Sequence, residues 1–301
     1  MNNPSTDNEF TSALLVIDQH EKAKFNSSGY LCKKQLVAES DLSVLRVAVD
    51  RLIEKSRHIS QSDGVFDLEA GHSADIPRLR RVAFLDDLDS VFWEFASDSV
   101  ITDLARDLFG PDITFRESLI NFKWSGGGQE VKWHQDIPFY PHTNLSLAQF
   151  LVFLDDVDVE QGPLQVLPGS HHGEVYDHYD SHGNWLGYIP EPVTKQIPLD
   201  QAVDVTGPAG TVSVHHCATI HGSRPNMSPK PRPVLILGYN AEDARPYTAP
   251  AYPSSHHGQV VRGKPAQYAR HDNVRLRLPP DWSGGYTSIF SHQEIQENHI
   301  K

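Results

Sequence analysis

The chain has 301 residues, 39% of them hydrophobic and 22% charged, values of a folded protein and not of a disordered one. With 26 Lys and Arg against 39 Asp and Glu, its formal charge of −13 disfavours nucleic acid and anionic membranes as partners. No apolar run approaches the roughly 20 residues of a membrane helix, and Met1–Asp7 lacks the basic and apolar stretches of a secretory signal, so a cytoplasmic protein is expected.

Two widely separated cysteines, Cys32 and Cys217, form no CxxC pair and suggest neither a disulfide framework nor a thiolate zinc site. Leu42, Leu45, Val49, Leu52 and Ile53 recur at helical spacing and predict a helix over 41–58, with Ser40 or Asp41 placed to cap it. The Arg78-Leu79-Arg80-Arg81 run reads as a solvated face. A second helix is predicted over 99–109, with Val100, Ile101, Leu104 and Leu108 on one side and Gly110-Pro111 as its stop. Beyond Ile113 the texture changes to short β-branched and aromatic runs separated by turn residues. Strands are expected over 114–122, 130–134, 148–154, 163–166, 210–215 and 234–239. Strands without intervening helices argue for an antiparallel fold, mainly β with flanking helices. The double-stranded β-helix, a cupin-like jelly roll, is the architecture of this kind that commonly encloses a small site. No repeat or linker divides the chain. It reads as one domain over 1–301, with a helical front to about 112, a core over 113–240 and a proline-rich covering segment over 241–301.

Seventeen histidines direct attention to metal chemistry. His134 and Asp136 stand two residues apart, a spacing that on a strand puts both side chains on one face. Two histidines and one carboxylate leave coordination positions open, which suits iron(II) oxygenases. His221 is a candidate third ligand. His215, His216 and the pairs His171-His172 and His256-His257 are competitors, and composition does not choose among them. One of His215 and His216 should face inward, and the two pairs follow turn residues and should lie at the surface.

Four ordered blocks narrow the choice: Ile120-Asn121-x-Lys123; Trp133-His134-x-Asp136; Gly162-Pro163-Leu164-x-Val166-x-Pro168-Gly169-Ser170-His171; and His221-Gly222-Ser223-x-x-Asn226-x-x-Pro229-x-Pro231-Arg232. Together they resemble the phytanoyl-CoA dioxygenase superfamily of Fe(II)/2-oxoglutarate-dependent oxygenases, with ectoine hydroxylase-like motifs. The resemblance implies that His134, Asp136 and His221 hold Fe(2+) and that Arg232 binds the distal carboxylate of 2-oxoglutarate. It implies that Asn121, Ser223, Lys123 and Tyr140 contact the co-substrate, or in the case of Tyr140 the substrate, and that His171 is structural. The implied reaction consumes O2 and 2-oxoglutarate, oxidises an unactivated C–H of a small metabolite, and releases succinate and CO2. Retention of Asp136, which halogenating relatives replace with a small residue, favours hydroxylation or a related oxidation. Glu117 suits a cationic or zwitterionic substrate, Arg116 and Arg224 an anionic one. Two other readings stay open: a zinc or manganese hydrolase or isomerase on the same jelly roll, and a non-catalytic binding protein.

Overall fold

Twelve strands form two antiparallel sheets in the computed structural model, which describes residues 13–125, 128–284 and 289. In chain order the elements are α1 (Gln19–Ser28), β1 (Tyr30–Lys33), α2 (Glu39–Ser56), β2 (Phe66–Leu68), β3 (Leu79–Ala83), α3 (Leu85–Leu88), α4 (Ser90–Ser97), α5 (Val100–Phe109), β4 (Ile113–Asn121), β5 (Val131–His134), β6 (Leu147–Phe153), β7 (Leu164–Val166), α6 (Glu191–Thr194), β8 (Val203–Val205), β9 (Val212–His216), β10 (His221–Ser223), β11 (Val234–Ala241) and β12 (Val260–Arg262). The larger sheet runs β1-β9-β6-β11-β4-β3-β2, with β12 also on β4; the smaller runs β5-β10-β7-β8. This is the expected mainly-β jelly roll.

Alternation along the strands shows where the layers lie. On β6, Ala148, Phe150 and Val152 join the main hydrophobic cluster with α2, α4 and α5, while Leu151 and Phe153 pack toward the smaller sheet. Because both faces are covered, all seven residues of β6 are buried, and the strand is apolar throughout except for Gln149. The chamber between the sheets is where the site forms.

Local chemistry accounts for the flanking helices. In α2 the buried set Leu42, Leu45, Ala48, Val49 and Leu52 follows the i, i+3, i+4, i+7 pattern. The helix begins two residues earlier than its sequence suggests, and neither Ser40 nor Asp41 caps it. The amides of Asp41 and Leu42 both reach the Ala38 carbonyl at 3.1 Å, so backbone alone closes the first turn. The second helix forms where expected as α5, and Ser99 caps it, accepting from the Ile101 amide at 3.2 Å.

The region before 113 contributes three strands as well as helices. One of them, β3, corrects the reading of the Arg78–Arg81 run as a solvated face. Arg80 and Arg81 are 8% and 7% exposed. Arg80 is held by Asp67 and Gln129, and such pairing is what allows guanidinium groups to be buried. The His256-His257 pair is likewise only part-exposed: His256 stacks on Trp93 at 3.9 Å and pairs with Asp86.

Two buried imidazoles tie stability to pH. His178 Nε2 accepts from the Gln135 amide at 3.1 Å, and His216 Nδ1 accepts from the Ala218 amide at 3.2 Å. An accepting ring nitrogen is unprotonated, and burial pushes both rings down to about 3. In the unfolded chain they titrate near ~6.5. Their stabilisation is therefore fully present above pH ~6.5 and is lost progressively as pH falls toward ~3, at up to ~1.4 kcal/mol per ring per pH unit. The melting temperature should fall from pH 7.5 to pH 5. A constant value over that range would contradict neutral burial.

Candidate metal centre

Two neighbouring strands of the smaller sheet supply the histidines. His134 ends β5 and His221 opens β10, and the two are direct antiparallel partners, with ring centroids 4.1 Å apart. Asp136 lies beyond the end of β5, so the same-face strand argument does not place it. Instead its amide donates to the Cys217 carbonyl at 2.9 Å, which folds the chain back toward β10. Asp136 Oδ1 then stands 3.8 Å from His134 Nε2 and 3.7 Å from His221 Nε2. Donors so spaced can all reach one ion at the ~2.0–2.2 Å of metal–nitrogen and metal–oxygen bonds. Among the described residues the same three form a buried candidate metal set.

The second nitrogens and oxygen of the ligands are fixed as well. His134 Nδ1 donates to the Lys132 carbonyl at 2.8 Å and His221 Nδ1 to the Thr219 carbonyl at 2.9 Å. Both Nε2 lone pairs are thereby directed at the same point. Burial lowers the affinity of both rings for protons, keeping them in the neutral form that ligates metal. Burial alone would raise the Asp136 carboxyl, but the His221 ring and the hydrogen bond from His215 outweigh it and hold it ionised. His215 Nε2 donates to Asp136 Oδ2 at 3.1 Å, so His215 supports the carboxylate, and His216 faces the opposite way toward Phe25 and His171.

Gln135, between the two ligands, points away from them and is fully buried. Its amide donates to the carbonyls of Glu174 and Ala218 at 3.0 and 2.8 Å and accepts from the Tyr176 amide at 2.8 Å. Gln135→Leu should cost about 1–3 kcal/mol, the cost of orphaning one buried polar group, here the Ala218 carbonyl. Chemical denaturation measures this, and a loss below 1 kcal/mol would contradict the anchoring role.

A chamber of about 140 Å³ opens beside the triad. At one end stand Arg232, Lys123, Asn121 and Ser223; at the other, Glu117, Gln149 and Tyr140. The Arg232 guanidinium is buried, its Nε is unpaired, and among the described residues no carboxylate neutralises it. Burial pushes it down to about 10, so it remains a cation at neutral pH. Its backbone is fixed by a two-way pairing with Lys123, whose carbonyl also accepts from Asn226 Nδ2. Lys123 is no surface residue: it is 2% exposed, and its Nζ donates to Ser223 Oγ at 2.7 Å and to the Arg224 carbonyl. Asn121 accepts from Arg81 Nε at 2.9 Å. Tyr140 lies over Arg116 at 3.8 Å. His171 stands outside the chamber, bonded to the Asn26 carbonyl.

Sequence reasoning did not find Arg81, Gln149, Phe139 or Tyr252 in the chamber wall. Arg81 is hidden in a basic run, and the others are ordinary strand and loop residues whose facing depends on register. From the covering segment, Ala251, Tyr252 and Ile289 reach the chamber. No helix among the described residues is long and apolar enough to cross a membrane.

The family profile described as phytanoyl-CoA dioxygenase matches residues 25–234. The chain is 32% identical over 281 residues to the probable alpha-ketoglutarate-dependent hypophosphite dioxygenase of Stutzerimonas stutzeri, covering 88% of this chain and 94% of that one. It is 27% identical over 232 residues to the ectoine dioxygenase of Bordetella parapertussis, covering 72% and 73%. The apo crystal structure of EctD from S. alaskensis superposes with a TM-score of 0.68 at 22% identity, covering 83% and 88%, which supports the fold.

Proposed function

The chain belongs to the phytanoyl-CoA dioxygenase family, and from that premise we propose an iron(II)- and 2-oxoglutarate-dependent dioxygenase whose metal ligands are His134, Asp136 and His221. The single domain oxidises a small molecule, with release of succinate and CO2. Arg232 carries the reading. A buried guanidinium without a counter-ion is costly, and this one shares a chamber with three convergent metal donors. A dicarboxylate that reaches the metal with one end and Arg232 with the other satisfies both. The planar guanidinium matches a carboxylate through two parallel donors. A zinc hydrolase on this fold would have no use for such a group.

Iron and 2-oxoglutarate together supply, when bound, the oxidising power to break an unactivated C–H bond. The protein supplies geometry. His134 and His221 offer Nε2 because their Nδ1 atoms are held by carbonyls, and His215 fixes the second oxygen of Asp136. Lys123, Ser223 and Asn121 border the Arg232 end and orient the co-substrate there. Tyr140 borders the other end and faces the substrate. Phe139, Leu151 and Ile236 line the wall between and exclude water from the reacting centre.

Purified protein supplied with iron(II), 2-oxoglutarate and O2 should release succinate, and a chelator should stop that release. Succinate formation that survives chelation, or that zinc supports as well as iron, would overturn the proposal.

A further inference from the structure

At the end of the chamber remote from Arg232, a β-bulge sets a second polar group into the wall. On β11, Gly238 pairs with Glu117 and Tyr239 with Phe115, so Arg116 is an extra residue on β4. Before the bulge, Ile113 and Phe115 face the helices; after it, Glu117, Leu119 and Asn121 face the chamber. Bulges re-aim side chains in this way. Gly238 leaves the room required, because a Cβ there would meet Arg116 Nη2 at 2.7 Å and Glu117 Cγ at 3.0 Å.

Glu117 Oε1 accepts from Arg116 Nη1 and from Gln149 Nε2, both at 2.6 Å. Glu117 Oε2 has no partner among the described residues, and Gln149 Oε1 is buried without one. His215 continues the row, since Gln149 pairs with His215 on β9 and with Gly238 on β11. Its Nε2 is spent on Asp136, and its Nδ1 is buried and unpaired. Two acceptors, one of them a carboxylate oxygen, thus lie side by side across the sheet with an unpaired ring nitrogen beyond them. Buried acceptors left without donors are costly.

We propose that this row is the substrate-recognition subsite and that it takes a positively charged N–H donor, the ammonium of a small amine or amino acid. The proposal rests on the oxygenase reading above. The chamber's cations do not compete for that role. Arg81 is engaged by Asn121 and Tyr252, and Lys123 by Ser223 and the Arg224 carbonyl. Arg232 stands six residues along the chain from Gly238, roughly 20 Å at ~3.3 Å per strand residue. Arg116 is absent from the chamber wall: its Nη1 is spent on Glu117 Oε1, the Tyr140 ring covers it at 3.8 Å, and its Nε and Nη2 are buried without partners. What faces a ligand is the carboxylate.

The test is calorimetric titration of anaerobic protein already loaded with iron(II) and 2-oxoglutarate, using n-butylammonium and the matched anion butyrate. Loading is verified first by the visible band of the chelate, so failure to load counts against the oxygenase reading and not against this subsite. Butylammonium should bind at least tenfold more tightly than butyrate, and Glu117→Gln should abolish that preference. Gln149→Met, which keeps the carboxylate, should weaken ammonium binding several-fold and serves alone if Glu117→Gln does not load. Butyrate binding as tightly as the ammonium, no binding of either at millimolar concentration, or an unchanged preference in the loaded variants overturns the subsite.

Discussion

Replacing Asp136 with alanine is expected to abolish 2-oxoglutarate turnover, with a fall of about 10³-fold or more. Groups that only support a metal ligand typically cost about 10–100-fold when removed, and loss of a direct donor has to exceed that. Asp136 is the sole carboxylate of the triad and lies within 3.8 Å of both histidine Nε2 atoms. Removing it leaves a neutral two-nitrogen site and deprives His215 of its acceptor. His134→Ala and His221→Ala should match it, since each removes one of three donors. Succinate release under excess iron measures the effect. Activity within tenfold of the parent protein in any of the three would show that the metal is held elsewhere.

Arg232→Ala should weaken 2-oxoglutarate binding more than a hundredfold. The loss of a buried, charge-assisted partner is put at about 3–5 kcal/mol, and every ~1.4 kcal/mol is tenfold in affinity. The variant removes an unpaired buried cation from the empty site, so the protein itself should be no less stable. Arg232→Lys should recover only part of the affinity, because an ammonium does not offer two parallel donors. The predicted signature is a raised KM for 2-oxoglutarate that high co-substrate largely offsets. An unchanged KM would place the distal carboxylate elsewhere.

Some of this was legible in the sequence, and particular residues show why. The expected strands from 114 to 239 agree with β4, β5, β6, β7, β9 and β11 to within one or two residues at most boundaries, because hydrophobic runs and turn residues are local signals. The His134-x-Asp136 motif is local too, although the main-chain bond from Asp136 to Cys217 that bends it into place is not. His221 was singled out by a pattern of blocks and not by composition. Its strand β10 is three residues of His-Gly-Ser, with no apolar signal, and exists only because β5 and β7 flank it. Arg81 and Lys123 look like surface cations until β3 and the Arg232 backbone bury them. Glu117 is the sharpest case. Simple alternation would put it on the face of Ile113 and Phe115, and a one-residue bulge reverses that. Register of this kind depends on strands more than a hundred residues apart.

The most direct test of the account is anaerobic titration of metal-free protein with iron(II) and 2-oxoglutarate, followed by the weak visible charge-transfer band of the chelate. The band should appear and saturate at one iron per chain, His221→Ala should abolish it, and Arg232→Ala should shift its formation to far higher 2-oxoglutarate. Absence of the band with both ligands in excess, or a band indifferent to these substitutions, would contradict the assignment of this chamber as an oxygenase centre.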